Sequence, residues 1–207
     1  MLLSELITRA RGLATTGSRR LLGITGPPGA GKSTVAEAIT TRLANLAVLV
    51  PMDGFHLSNA ELERLGRRSR KGAPDTFDAA GFVALLRRLK AEEEPVVYAP
   101  EFRREIEEAI SGAIPVPREV PLAIVEGNYL LLPEPPWASI RALLDECWYL
   151  EMDPAKRIVR LVDRHVRHGK TREDAEKWVR RSDEANARLV ATTRERADLV
   201  VVELEAV

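Results

Sequence analysis

The sequence has little of three things that would each indicate a particular environment: cysteine, net charge and long apolar runs. Its single cysteine, Cys147, excludes a disulfide within the chain and lies in an apolar run typical of a buried side chain, which suits a reducing compartment such as the cytoplasm. Lysine plus arginine equals aspartate plus glutamate, at 31 each, so no overall field attracts nucleic acid or a membrane. No apolar run approaches the length of a membrane span.

Two charged segments each allow two interpretations. Residues 1–20 carry Glu5 and Arg9 where a secretory segment needs uninterrupted apolar residues, so export is not expected. Their arginines are also found in transit peptides, but the spacing of leucine and alanine fits a helix packed on the domain, which we favour. The basic run over residues 64–71 has no interleaved aromatic residues and indicates a solvated face rather than a nucleic-acid site.

The clearest pattern is a glycine-rich segment that ends in a lysine and a serine. An apolar run that predicts a strand precedes it, and a pattern that predicts a helix follows it. Glycines let main-chain N–H groups converge, the lysine adds positive charge, and the serine hydroxyl can hold Mg²⁺. We therefore predict a P-loop for ATP rather than a turn without a ligand. The phosphate-binding residues would be Gly26, Gly29, Ala30, Gly31, Lys32, Ser33 and Thr34. A dinucleotide site is excluded because the last glycine of that fingerprint is absent.

Five short apolar runs alternate with helical patterns along the chain. They cover residues 21–25, 47–52, 122–126, 147–152 and 199–202. Continuous apolarity without alternation is typical of a parallel sheet that is covered on both faces. The sequence thus predicts an α/β fold, a three-layer α/β/α sandwich with a five-stranded parallel sheet, in a single domain over residues 1–207. Helix caps are predicted at Ser58 or Asn59, Asp78, Asp153 and Thr171, the last opening a helix over residues 175–190.

Acidic residues follow two of the predicted strands, at the sheet edge where ligands gather in such folds. Asp53 comes after the second strand and is our candidate general base, with capping of a turn as the alternative. Glu126 ends the third strand and is the candidate second partner of Mg²⁺ after Ser33, with a structural salt bridge as the alternative. His56 either hydrogen-bonds the substrate or satisfies its own loop.

A helical segment rich in arginine follows the fourth strand. Such a helix could close over the triphosphate as a lid over about residues 154–175. Arg164 or Arg167 would then neutralise the charge that develops on the transferring phosphoryl group and help to exclude water. The alternative is a solvated arginine face paired with nearby acids.

These segments together resemble the P-loop small-molecule kinases that include uridine kinase, pantothenate kinase and phosphoribulokinase. The phosphate loop, the Met52-Asp53-Gly54-Phe55 segment and the Glu126-Gly127 pair match motifs of that group. The strongest likeness, through residues 71–78 and 98–102, is to bacterial proteins called fructose transport system kinases. The resemblance implies a fold of the P-loop nucleoside triphosphate hydrolase type with a helical lid.

The same resemblance implies further site residues. It assigns Tyr98 with Arg103 or Arg104 to the acceptor site, and the stretch that contains Arg194 to the surroundings of the adenine base. It also implies ATP and Mg²⁺ as cofactors.

Residues and resemblance together predict an ATP-dependent kinase that phosphorylates a hydroxyl of a small metabolite. A sugar such as fructose is favoured by the likeness, ahead of pantothenate or a nucleoside. A nucleotide-switched regulator or simple NTPase is the alternative of another class. It would share Lys32, Ser33 and Glu126 but would have no reason to group acceptor residues around a cleft. The patterns leave open whether the chain forms a homo-oligomer.

Overall fold

A computed structural model describes residues 1–202, and its centre is a parallel sheet. Over those residues the chain forms the strands β1 (Arg20–Thr25), β2 (Ala47–Pro51), β3 (Val96–Arg103), β4 (Glu108–Pro117), β5 (Leu122–Glu126), β6 (Glu146–Glu151) and β7 (Leu199–Val202). Five of them pair in the order β2-β5-β1-β6-β7, and every pairing is parallel. The predicted five-stranded parallel sheet is confirmed, with strand ends that differ from the prediction by at most one residue.

Helices cover the sheet on both faces. They are α1 (Leu3–Leu13), α2 (Lys32–Leu43), α3 (Asn59–Arg64), α4 (Ala79–Ala91), α5 (Ile140–Leu143), α6 (Pro154–Arg167), α7 (Arg172–Trp178) and α8 (Glu184–Ala191). None of the helices within residues 1–202 has the length and apolar character needed to cross a membrane.

The two faces of the sheet explain why its strands lack alternation. Leu21 and Cys147 belong to the core on the side of α4 and α5, whereas their neighbours Leu22 and Trp148 belong to the core on the side of α1 and α2. Both cores consist of fully buried apolar side chains, so successive residues must both be apolar. Leu6 of α1 is completely buried in the second core, in agreement with a packed N-terminal helix.

Side-chain caps begin four of the helices where the sequence predicts them. Ser58 accepts a hydrogen bond from the Glu61 N–H at 3.2 Å, and Asp78 accepts one from the Gly81 N–H at 2.8 Å. Asp153 caps α6 and Thr171 caps α7 in the same way. Each cap satisfies one of the N–H groups that the first turn leaves without an acceptor.

The prediction missed an antiparallel hairpin made of β3 and β4. Its ladder is interrupted by a bulge between Ala99 and Glu101, and its tip is rich in charge, so it lacks the regular pattern of a buried strand. The hairpin packs on the short turn Met52–Phe55. A Cβ added to Gly54 would lie 2.3 Å from the carbonyl oxygen of Pro100, so only glycine permits this approach.

The predicted helix over residues 175–190 was wrong in one respect. The structure divides it into α7, a π-helical segment over Val179–Asp183, and α8. A π turn contains one extra residue, which changes the direction of the side chains around it. Here the segment ends at Asp183, a buried carboxylate that lines the cavity described below.

We predict that Gly54→Ala loosens the hairpin from the turn that carries Asp53. The added methyl group meets backbone rather than a flexible side chain, so the free energy of unfolding should fall by about 1–3 kcal/mol. Gly12→Ala is the matched control, because a Cβ there meets nothing within 4 Å in a helix and should be neutral or stabilising by about 1 kcal/mol. Chemical denaturation measures both values; equal effects would contradict the close contact.

Candidate active site

The P-loop connects the central strand β1 to α2 and curls around the start of that helix. Gly29 and Gly31 have φ values of +82° and +91°, in the left-handed region that favours glycine. A Cβ on Gly29 would lie 2.8 Å from Leu161 Cγ on α6. The first N–H groups of α2 have no acceptor within the helix and share its positive dipole end. This geometry is suited to a polyphosphate.

Lys32 is the first residue of α2 and is buried, with 6% of its surface exposed. Its Nζ donates a hydrogen bond to the Pro27 carbonyl oxygen at 3.0 Å. Burial lowers the pKa of Lys32, and the nearby carboxylates of Glu126 and Asp53 oppose that shift. The ammonium is therefore poorly solvated and would gain from an additional anion.

Glu126 ends β5 and is buried close to the same ammonium. In the sheet register it lies opposite Ile24 on one side and Pro51 on the other. Burial raises the pKa of Glu126, while Lys32 and a hydrogen bond from the Ser33 hydroxyl act in the opposite direction. A serine hydroxyl beside a carboxylate is a pair of oxygen ligands that fits Mg²⁺, which usually takes few protein ligands and keeps waters and phosphate oxygens.

A cavity of about 310 Å³ opens between the P-loop, the Met52–Phe55 turn, the hairpin tip and helices α6 to α8. Its walls include the P-loop residues, on what we call the phosphate side, and Asp53, His56, Phe77 and Phe102, on what we call the second side. Predicted site residues on its walls are Gly29, Lys32, Ser33, Asp53, His56, Arg104, Glu126 and Arg164. A single space thus joins the P-loop to the candidate base.

Asp53 lies on the wall of the same cavity as the P-loop. Its carboxylate is about one-third exposed, and Arg104 on the hairpin tip approaches it with Nη2 3.4 Å from Oδ2. The hairpin therefore supplies a cation next to the candidate base. Arg104 is one of the residues that the resemblance assigns to the acceptor site, but its pairing with Asp53 depends on the hairpin, which was not predicted.

Arg157 holds helix α6 on the P-loop, a role that was not predicted from the sequence. Its guanidinium donates to the Pro28 carbonyl oxygen at 3.2 Å and forms an ion pair with Glu184 on α8. Arg157 is 4% exposed, although every other arginine of α6 is at least partly exposed. Its spacing of four residues from the buried Leu161 is the signal that could have placed it on the inner face.

Of the two lid arginines, Arg164 lies on the cavity wall and Arg167 does not. Burial lowers the pKa of Arg164, but a guanidinium stays charged in proteins. Arg167 is on the exposed face of α6, where its Nε donates to the Asp163 carbonyl oxygen at 3.4 Å. The structure thus favours Arg164 as the cation that faces the P-loop.

Two residues assigned to the acceptor site by resemblance lie outside the cavity. Tyr98 is 56% exposed because β3 alternates, with Val97 and Ala99 pointing into the core. Arg103 pairs with Glu101 at 2.7 Å on the outside of the hairpin. Their assignment to the acceptor site therefore stays a prediction, which the lining of this cavity does not support.

Arg194 lies beyond the carboxyl end of β6 and is not among the residues that line the cavity. Its guanidinium pairs with Glu151 at 3.1 Å and with Glu195 at 2.9 Å. Its assignment to the adenine base stays a prediction.

Two further groups on the cavity wall, Lys71 and His165, were not predicted as site residues. Lys71, from the basic run, is buried and donates to Asn59 Oδ1 at 2.8 Å, with its ammonium 4.9 Å from the centre of the Phe102 ring. His165 Nε2 lies 2.8 Å from Asp183 Oδ2, which links α6 to the π segment. Both contacts are between distant parts of the chain, so no local signal predicts them.

Comparison with known proteins shows the family to which the chain belongs. The model of the phosphoribulokinase / uridine kinase family matches residues 21–207. The chain belongs to this family. Its members are P-loop kinases, so the phosphate-binding loop described above is that of a kinase.

Relatives in the family carry different names. A crystal structure of a Silicibacter sp. TM1040 protein named "putative fructose transport system kinase" has a TM-score of 0.88 and 39% identity, covering 97% of this chain and 99% of that chain. A Schizosaccharomyces pombe protein named "Putative uridine kinase" is 36% identical over 97% of this chain and 90% of its own length. The pantothenate kinase of Limosilactobacillus reuteri is 34% identical over 65% of this chain and 45% of its own length.

We predict that Arg157→Ala destabilises the protein strongly because it leaves the Glu184 carboxylate and the Pro28 carbonyl oxygen without their partner. The expected loss is about 2–4 kcal/mol in the free energy of unfolding, measured by urea denaturation. Arg160→Ala, at an exposed position of the same helix, should change it by about 0.5 kcal/mol or less. A double variant, Arg157→Met with Glu184→Gln, should recover part of the loss in stability. Equal free energies of unfolding for Arg157→Ala and Arg160→Ala would refute the role of Arg157.

Proposed function

We propose that this family member transfers the γ-phosphoryl group of ATP to a hydroxyl of a small metabolite. The observation that carries the proposal is that Asp53 shares one cavity with Lys32, Ser33 and Glu126. A P-loop alone is sufficient for nucleotide binding, whereas a carboxylate across the same space is what a kinase needs to orient an acceptor hydroxyl.

On the nucleotide side, Lys32 and the N–H groups at the start of α2 would hold the β- and γ-phosphates. Arg164 on the cavity wall would offset the charge that develops on the transferring group. Because Arg157 and Leu161 pack on the P-loop, α6 carries Arg164 in a fixed relation to that loop. The same helix covers the site and excludes water that would otherwise take the phosphoryl group.

On the acceptor side, Asp53 would take the proton of the reacting hydroxyl. The acceptor oxygen then forms a bond to the γ-phosphorus while the bond from that phosphorus to the bridging oxygen breaks, and ADP leaves. The Arg104 guanidinium, 3.4 Å from the Asp53 carboxylate, would help to orient it toward the acceptor hydroxyl.

Ser33 and Glu126 are the residues that would hold Mg²⁺. When bound, the ion would neutralise phosphate charge and orient the triphosphate. Their position beside Lys32 is supported by the hydrogen bond between them and by the burial of both Lys32 and Glu126.

For the acceptor we favour a sugar such as fructose, in view of the 39% identity to the protein with the fructose-related name. Pantothenate and nucleosides are the alternatives, supported by the names of other relatives. A simple NTPase or nucleotide switch would need the phosphate side alone. The second side of the cavity, with Arg104 beside Asp53, argues for an acceptor.

The test measures ADP release with ATP and Mg²⁺ alone and then with D-fructose, other sugars, D-glycerate, pantothenate and nucleosides. One acceptor should stimulate ADP release at least about 10-fold, and its phosphorylated product should appear in equal amount.

With that acceptor, Asp53→Asn should lower kcat by about 10²–10⁴-fold while ATP binding persists. Glu101→Gln, on the outside of the hairpin, is the matched control and should keep kcat. Rapid ADP release that no acceptor stimulates would instead identify an NTPase.

Magnesium dependence gives a separate prediction. Glu126→Gln replaces the negative carboxylate proposed to hold Mg²⁺ by a neutral amide. The Mg²⁺ concentration needed for half-maximal activity should therefore rise by about 10-fold or more. Binding of ATP measured in EDTA should change much less, since that measurement contains no Mg²⁺. An unchanged Mg²⁺ requirement would contradict the assignment of Glu126.

A further inference from the structure

The hairpin tip, residues 104–107, connects β3 to β4 next to the second side of the cavity. All four residues are exposed, and Arg104 and Glu107 line the cavity. Glu107 has a φ of +53°, in the left-handed region that residues with a side chain seldom adopt. Of the three residues other than glycine with a positive φ within residues 1–202, it is the one on the cavity wall. Such a conformation persists where neighbouring groups hold it in place.

Two side chains from outside the hairpin hold Glu107. The Lys71 ammonium donates to the Glu107 carbonyl oxygen at 2.5 Å, and Asn59 Nδ2 donates to the same oxygen at 3.1 Å. Lys71 also donates to Asn59 Oδ1 at 2.8 Å, so the three groups form a closed triangle. The Asn59 N–H adds a hydrogen bond to the Glu108 carboxylate at 3.0 Å. We call Asn59, Lys71, Glu107 and Glu108 the tip clasp.

The Lys71 ammonium is buried, which makes its contacts in the tip clasp hard to replace. Its side chain is 7% exposed, and burial lowers the pKa of Lys71, with Glu107 opposing that shift. The surroundings of the ammonium include the face of the Phe102 ring at 4.9 Å and the Glu107 carboxylate at 3.8 Å. A charge out of water depends on such partners. If Glu107 turned away, the ammonium would lose its closest one.

The main chain next to Lys71 is fixed in the core. The carbonyl oxygen of Gly72 accepts hydrogen bonds from the Tyr129 hydroxyl and, at 3.3 Å, from Asn186 Nδ2 on α8. Tyr129 is completely buried. Lys71 therefore reaches the tip from an anchored position, and its side chain sets where the tip lies.

Arg104, at the other end of the tip, depends on the same arrangement. The paired part of the hairpin ends at Arg103, which lies opposite Glu108. Two residues separate Arg104 from Glu107, so a change of φ at Glu107 redirects the whole loop. Arg104 Nη2 is 3.4 Å from Asp53 Oδ2, a contact that a displacement of about 1 Å would break.

We infer that Lys71 is a positioning residue, which holds the tip clasp closed so that Arg104 stays beside the Asp53 carboxylate. The inference rests on the proposed kinase function, in which Asp53 takes the proton of the acceptor hydroxyl. A misplacement of about 1 Å in such a group can cost about 100-fold in rate. Lys71 acts through the tip and requires no contact of its own with ATP or the acceptor.

The experiment uses the acceptor that the ADP-release assay identifies. Lys71→Met keeps most of the length of the side chain and removes the ammonium. Its kcat, expressed per ATP-binding site so that unfolded protein does not count, should fall about 10- to 100-fold, while the KM for ATP changes by less than about 3-fold. Arg64→Met, from the same basic run at the exposed end of α3, is the matched control and should keep kcat.

A double-variant comparison shows whether Lys71 acts through Arg104. In an Arg104→Ala background, Lys71→Met should lower kcat by no more than about 3-fold further, because the contact that Lys71 protects is already absent. Full multiplication of the two single effects would overturn the inference.

Two variants of Glu107 test the left-handed turn itself. Asparagine tolerates a positive φ, whereas the β-branched valine does not, and both side chains are uncharged and of similar size. Glu107→Asn should keep kcat within about 3-fold of the wild type, and Glu107→Val should lose about 10- to 100-fold, as Lys71→Met does. Equal values for these two variants would overturn the inference, and this pair is decisive even if Lys71→Met fails to fold.

Trypsin gives a readout that does not depend on turnover, because it cleaves after Arg103 and Arg104 in and beside the tip. The initial rate of cleavage there, identified by the masses of the fragments, should rise about 10-fold in Lys71→Met and Glu107→Val but not in Arg64→Met. Unchanged cleavage would overturn the tip clasp even if an acceptor is found. Turnover of no compound would instead contradict the proposed function and the role of Lys71 in it, and the cleavage rates would then decide the structural part alone.

Discussion

The burial of the Lys32 ammonium is the constraint on which the rest of the site depends. A charge taken out of water is costly unless partners surround it. Here the Pro27 carbonyl oxygen comes from the loop, and the Glu126 carboxylate comes from the neighbouring strand. The two meet only because β1 and β5 are adjacent and end at the same edge of the sheet. The order of the strands is therefore part of the chemistry of the site.

The features that the sequence predicts well are those with local causes. The glycines of the P-loop, the continuous apolarity of the five sheet strands and the caps at Ser58, Asp78 and Thr171 each depend on residues within a few positions. The expectation that Asp53 and Glu126 lie near the P-loop also follows from a general rule, since parallel strands all end at one edge. The structure brings both carboxylates to the cavity.

What the sequence did not predict depends on contacts between distant segments. The hairpin alternates around a bulge, so Tyr98 points outwards although it neighbours buried residues. Lys71 is buried because Asn59 and the hairpin tip surround it, not because of its own neighbours in a basic run. The π turn before Asp183 likewise has no sequence signature in a segment with ordinary helical periodicity. Such positions require tertiary packing to be known first.

The cavity combines both kinds of feature, those with local causes and those that depend on distant contacts. This explains why the family name leaves the acceptor open. The phosphate side is a local motif, the same kind of loop on the same kind of strand, and it carries most of the resemblance among P-loop kinases. The acceptor side is assembled by the contacts of Gly54 with the hairpin and of His56 with Phe77 and Phe102. Substitutions in these segments can change which compound fits next to Asp53 without changing the surroundings of Lys32. In the proposed function, the acceptor would therefore be selected by this second side of the cavity, which forms only when the hairpin and the turn have packed together.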